Sequence, residues 1–204
     1  MLVVGLTGSI GMGKSAAAAR FGERGIAVFD ADAEVHALYS GPLAQDIEKA
    51  FPGTTSNGSV DRAKLSKALL ADPQRFKQLE AIVHPAVRDA QRTFLRQEKA
   101  KGARLTVLEI PLLFEAGTDK FTDLTIVVSA NAAVQRARVL ARPGMTETKL
   151  HELLRRQMPD DAKRARADFV VDTNGSVPAC NAQIDAILAN ISAHPARAFN
   201  RFWM

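Results

Sequence analysis

The stretch that decides the fold is Leu2-Val3-Val4-Gly5-Leu6-Thr7-Gly8-Ser9-Ile10-Gly11-Met12-Gly13-Lys14-Ser15. Leu2 to Leu6 is a short apolar run with too few polar interruptions for a surface strand, so it reads as a buried strand. Gly8 to Ser15 then fits G-x-x-x-x-G-K-[S/T]. Glycines let backbone N–H groups turn inward and approach phosphate oxygens without Cβ interference. The next segment, Ser15-Ala16-Ala17-Ala18-Ala19-Arg20-Phe21, is a strong helix former. Its N-terminus adds a positive dipole end to the same anion. Strand, glycine loop and helix in that order are the context a triphosphate site requires. Lys14 then supplies a charge to the β- and γ-phosphates and Ser15 a hydroxyl to Mg²⁺. The expected binding residues are Gly11, Met12, Gly13, Lys14, Ser15 and Ala16.

Working outward, Gly25 ends the helix and Ile26 to Phe29 forms a second apolar strand. A strand, helix and strand so close together predict a parallel sheet. Residues 31 to 102 are almost wholly helical in pattern, with Asp61 as an N-cap, Pro73 opening a helix, and Pro85 breaking or bending one. Phe51 to Val60 is the most loop-like part. Strands return at Leu105–Ile110, Leu124–Val128 and Phe169–Val171. Helices are expected at Ala132–Leu140, Thr146–Met158 and Val177–Ile191. The expected fold class is α/β: a P-loop NTPase-type three-layer fold with a parallel central sheet, a helical substrate-binding insertion and a helical lid. The expected divisions are a core of 1–32, 104–133 and 167–192, an insertion at 33–103, a lid at 134–166 and a C-terminal tail at 193–204.

Composition narrows the partners. The 204 residues are 47% hydrophobic and 24% charged, which is ordinary for a globular chain. No run approaches a membrane span, and the first residues lack the basic start of a signal peptide. The single Cys180 allows no internal disulfide, so a reducing cytoplasm is the simplest location. Net charge is +5, and residues 136–166 alone hold nine Lys/Arg against four Asp/Glu. That local excess suits a phosphate-rich ligand or nucleic acid. Aromatics are only 6%, which leaves few platforms for stacking bases. An N/T-K-x-D base-reading motif, as in a switch GTPase, is absent.

Asp30 and Asp32 follow the second strand, where ligands of open parallel sheets bind. Read by itself, Asp32 is either the N-cap of the next helix, with Asp30 a turn residue, or a base that accepts a hydroxyl proton. Further stretches are Leu79-Glu80-Ala81-Ile82-Val83-His84-Pro85-Ala86-Val87-Arg88, Ile110-Pro111-Leu112-Leu113-Phe114-Glu115, Gln135 to Arg142, and Ala167 to Gly175. Together with the glycine loop and Asp30-Ala31-Asp32 they resemble the dephospho-CoA kinase family over roughly residues 3 to 190.

The resemblance implies ATP and Mg²⁺ as cofactors and dephospho-CoA as small-molecule substrate, phosphorylated on its ribose 3′-hydroxyl in the last step of CoA biosynthesis. Asp32 becomes the catalytic base, with Lys14 and Arg142 stabilising the transferred group. Arg138 and Asn174 border ATP, and His84 and Arg88 shape the acceptor pocket. Without the resemblance, His84 reads as a buried, hydrogen-bonded hinge beside Pro85, and Arg138 and Arg142 as a solvated helix face. Of Leu112, Leu113 and Phe114, at least two are expected in the core. Two positions depart from the family, Glu109 in place of Asp and Pro143 in place of Asp after the lid arginine. The expected protein is a monomer that binds neither nucleic acid nor membrane. Its rivals are a nucleoside or nucleotide kinase, a nucleic-acid-stimulated ATPase and a non-enzymatic ATP-binding regulator.

Overall fold

The computed structural model describes residues 1–204, the side chain of Pro73 excepted. The chain forms two compact units, Met1–Phe29 with Leu95–Met204, and Asp30–Phe94.

The first unit is built on a parallel sheet of strands β1 (Leu2–Thr7), β2 (Ala27–Asp30), β5 (Leu105–Glu109), β6 (Leu124–Ser129) and β7 (Phe169–Asp172), ordered β2-β5-β1-β6-β7. β1 lies at its centre, paired with β5 from Leu2↔Leu105 to Leu6↔Glu109 and with β6 from Val4↔Leu124 to Thr7↔Val127. Every residue of β1 and β6 is buried, which is why both are apolar on both faces. Helices α1 (Lys14–Glu23) and α9 (Val177–Ile191) share one core with the sheet. Phe21, Ile184 and Ile191 meet Val4, Leu6, Ile126 and Val171 there. Arg20 and Arg24 of α1 both donate to Asp185 of α9 and hold the helices side by side. α6 (Ala132–Leu140) starts at Asn131, whose side chain accepts from the Val134 N–H, and α7 (Glu147–Arg155) starts at Thr146 in the same way.

Helix α8 (Asp160–Arg166) lies beyond the helix expected to end at Met158. Its anchor is tertiary. Lys163, with no exposed surface, places Nζ 2.9 Å from Glu115 Oε1 and donates to the Pro111 carbonyl at 3.3 Å. Periodicity in so short a segment carries little signal.

Residues 193–204 end in a π-helical turn, Phe199–Trp203, with Phe199 and Trp203 buried. Trp203 Nε1 donates to the Phe121 carbonyl, Arg96 Nε donates to the Trp203 carbonyl, and Asp123 Oδ1 accepts from the Arg197 and Ala198 N–H groups. The expected tail is therefore packed structure.

The second unit holds α2 (Ala31–Tyr39), α3 (Ala44–Ala50), α4 (Arg62–Ala71) and most of α5 (Phe76–Ala100). Asp61 caps α4 as expected, accepting from the Ala63 and Lys64 N–H groups. The loop-like segment 51–60 contains a hairpin, β3 (Thr55–Ser56) with β4 (Ser59–Val60). Asn57 and Gly58 turn it with φ of 52° and 75°, the backbone that Asn-Gly supplies to a two-residue hairpin. Pro85 does not break α5, which continues from Phe76 to Ala100. Val83 is buried, and Ile82, Ala86 and Val87 pack on the core of Ile47, Phe51, Leu65 and Leu69. That packing offsets the backbone hydrogen bond that proline removes.

Candidate active site

Gly11 and Gly13 adopt φ of 78° and 87°, which residues with a Cβ rarely adopt. A Cβ on Gly11 would stand 2.5 Å from Val139 Cγ2, so the loop also lies tight against α6. Gly13 is the N-cap of α1 and has no side chain to occupy the first N–H groups of the helix. Ser15 and Ala16 are exposed on that first turn. Met12 is buried, and its sulfur accepts from the Ala130 N–H. Its own N–H donates to the Ser9 carbonyl at 3.1 Å. The resulting loop is a tightly packed glycine turn that leads into a helix N-terminus.

Lys14 Nζ stands 2.6 Å from Oε1 of Glu109, the last residue of β5, and both side chains are largely buried. The cation is thus held beside the loop by a carboxylate from the neighbouring strand. Glu109, expected as a departure from the family pattern, thus places its carboxylate on the lysine.

Three polar residues that sequence reading did not single out brace the turn. Gln135 Nε2 donates to the Ile10 carbonyl at 2.8 Å, and Gln157 Oε1 accepts from the Ile10 N–H at 3.1 Å. Thr173 is buried, and its hydroxyl donates to the Met12 carbonyl at 2.8 Å. The Arg138 guanidinium donates to the Thr173 carbonyl at 2.6 Å and approaches its hydroxyl at 3.1 Å. Arg138 therefore reaches the phosphate loop through Thr173. Thr173 lay inside the Ala167–Gly175 motif, but nothing in its type or neighbours revealed what its hydroxyl would meet.

A cavity of about 350 Å³ lies next to this loop, with Met12, Ser129, Gln135, Asp160, Arg164 and Asn174 on its walls. Asn174 Oδ1 accepts from the Asn131 N–H, and its Nδ2 donates to Asp172 Oδ1. Asp160 Oδ2 accepts from Ser129 Oγ at 2.6 Å, while its Oδ1 is buried without a partner. The volume is in the range of small-ligand pockets.

Arg142 lies exposed in the turn after α6. Leu113 and Phe114 are buried and Leu112 is 41% exposed, so two of the three are core, as expected. Cys180 is buried and free, and burial pushes its thiol pKa up.

In the second unit, Asp30 is the N-cap of α2, its Oδ1 accepting from the Asp32 and Ala33 N–H groups at 2.9 and 3.0 Å. This reverses the capping alternative, in which Asp32 was the cap and Asp30 a turn residue. Asp30 keeps strand geometry while its carboxylate reaches forward into the helix. Asp32 is exposed on the first turn. His84 is exposed on α5, which removes the buried-hinge alternative, and Arg88 is half-buried one turn further along the same face.

A five-stranded sheet flanked by helices, with a G-x-x-x-x-G-K-S loop between the central strand and α1, defines a P-loop nucleotide-binding protein. Residues 2–179 match the family model described as dephospho-CoA kinase. A dephospho-CoA kinase of Brucella abortus (strain 2308) is 52% identical over 198 residues, 97% of this chain and 99% of its own. One of Nitrobacter winogradskyi is 51% identical over 197 residues, again 97% and 99%. The crystal structure of TT1252 from Thermus thermophilus superposes with a TM-score of 0.80 at 36% identity, covering 93% of this chain and 97% of that one. A shikimate kinase from Acinetobacter baumannii, 15% identical with a TM-score of 0.54, shares the fold. The chain belongs to the dephospho-CoA kinase family.

Proposed function

We propose that the chain transfers the terminal phosphate of ATP to the 3′-hydroxyl of the ribose of dephospho-CoA, giving coenzyme A and ADP. The observation that carries this reading is the glycine turn of Gly11 to Lys14, with its lysine held at 2.6 Å from Glu109, in a chain of this family.

The phosphates lie on the backbone N–H groups from Gly11 to Ala16, and Lys14 leaves Glu109 to reach the β- and γ-oxygens. The adenosine part uses the cavity beside Asn174. Asp32, on the first turn of α2 and not needed as its cap, accepts the proton of the attacking hydroxyl. His84 and Arg88, one turn apart on α5, hold the acceptor. Residues 134–166 carry the lid, and its Arg142 neutralises charge on the transferred group. Arg138 acts as a brace of the loop through Thr173, on the strength of its two contacts there.

The donor set fits Mg²⁺. Ser15 offers an exposed hydroxyl and Glu109 a hard carboxylate, and no group of three or more His, Cys, Asp or Glu among the described residues forms a dedicated metal cage. Ser15, with Glu109 once Lys14 has left it, would hold such an ion, which would supply charge compensation for the triphosphate. No helix among the described residues is long and apolar enough to cross a membrane, and the unpaired buried Cys180 agrees with a reducing cytoplasm.

Purified protein given ATP and Mg²⁺ should release ADP with dephospho-CoA and stay near background with nucleosides or nucleoside monophosphates. ADP release with nucleosides only would replace this acceptor with theirs.

A further inference from the structure

A second cavity, of about 360 Å³, lies in the first unit beside the starts of β1 and β6. Lys120, Asp123, His194, Arg197, Arg201 and Phe202 line it. It is distinct from the phosphate loop, which follows the opposite end of β1. The six residues of β1 separate the two by roughly 20 Å at the usual strand rise.

Its charge is one-sided. Asp123 is the single carboxylate among its walls, and hydrogen bonds occupy both oxygens. Oδ2 accepts from the Val3 N–H at 2.8 Å, and Oδ1 accepts from the Arg197 and Ala198 N–H groups at 2.7 Å each. Lys120, Arg197 and Arg201 form no ion pair with a carboxylate among the described residues. Lys120 instead lies over the Phe121 ring at 5.1 Å and Arg201 over the Phe202 ring at 5.0 Å. His194 adds a ring whose Nδ1 is 3.1 Å from the Pro195 carbonyl, which leaves Nε2 as a further polar atom.

On a convex surface such cations are solvated and keep apart. Here all three are exposed, yet their residues line one concavity. The backbone that carries two of them is fixed. The Arg201 N–H donates to the Arg197 carbonyl, Asp123 holds the start of the segment, and Trp203 Nε1 holds its end on Phe121. Binding of an anion would therefore not have to order this backbone. Three permanent positive charges in a cavity several times larger than one phosphate fit a diphosphate bearing an attached group, with Phe202 as an apolar wall.

We propose that this cavity is a second, non-catalytic binding site for a diphosphate-class anion, held by Lys120, Arg197 and Arg201. The inference is independent of the acceptor proposed above. Arginine forks suit such oxygens, and the lysine adds a point charge.

Trp203 is the chain's one tryptophan and sits in the segment that forms the cavity, so its emission reports on the site. The probe is inorganic pyrophosphate, titrated into the full chain with Lys14→Ala present to weaken the phosphate loop, and read by Trp203 fluorescence and by calorimetry. The expected result is saturable binding that weakens with added salt and loses tenfold or more in affinity in an added Arg197→Ala/Arg201→Ala pair. Lys120→Ala, outside the C-terminal segment, should lose severalfold by itself with Trp203 emission unchanged before titration. Absence of saturable binding in the Lys14→Ala protein overturns the proposal, and so does unchanged affinity in the Lys120→Ala variant. Kinase assays with dephospho-CoA, run on Lys120→Ala alone, should match the parent protein and so keep this test apart from that of the catalytic reading.

Discussion

Asp30 and Asp32 have the same side chain and stand two positions apart, yet the backbone gives them different work. Asp30 spends Oδ1 on the first turn of α2, and this leaves Asp32 exposed on that turn with its carboxylate open to a ligand. The account makes Asp32 the proton acceptor, so Asp32→Asn should lower turnover by about 10²- to 10⁴-fold. ATP affinity should stay within a few-fold, because the phosphates rest on the loop. Steady-state kinetics beside equilibrium nucleotide binding checks both parts, and full turnover in the variant would remove the base. At this scale the loop residues were legible, since Gly11, Gly13 and Lys14 are dictated by local chemistry. Thr173, Gln135 and Gln157 were not. Their hydrogen bonds to Met12 and Ile10 join segments more than a hundred residues apart, and no local pattern records such a pairing.

Most elements were legible because their signals are local: apolar runs for β1 and β6, and Asp61 and Gly25 as helix start and stop. α6 and α9 run over the residues expected of them, Ala132–Leu140 and Val177–Ile191. At Pro85, tertiary packing overrides a local rule. Pro85 was expected to break or bend its helix, and it does not break it: Val83 and its apolar neighbours keep α5 seated on the second unit's core. The lost bond to the Ala81 carbonyl is the remaining cost. Pro85→Ala should therefore stabilise the protein, by up to about 3 kcal/mol, the order of the cost of a helix-interior proline less what the packing already offsets. Thermal or urea unfolding measures it, and a variant less stable than the parent would show that the ring's packing outweighs the missing hydrogen bond. The hairpin at 55–60 had a local signal, Asn57-Gly58, hidden by strands of two residues each.

Across the first unit, a charge cluster ties α1 to α9 at the end of α1 opposite the phosphate loop. Arg24 and Arg20 hydrogen-bond Asp185 and hold its carboxyl well below the usual range. A carboxyl depressed by folding stabilises the protein above about pH 4, and that contribution fades as pH falls through the lowered folded value. Asp185→Asn should lower the melting temperature at pH 7, and the gap to the parent should close as pH is taken toward 2. The C-terminal segment was expected as a tail because an aromatic cluster at a chain end has no period to read. Its place became visible only when Phe121 and Asp123 supplied partners from elsewhere in the chain. The central claim is where one phosphate goes. Mass spectrometry with fragmentation of the product from ATP and dephospho-CoA tests it directly. The account predicts a gain of one phosphate, located on the ribose 3′ position. ATP consumed with dephospho-CoA unchanged, or phosphate found at another position, would contradict it.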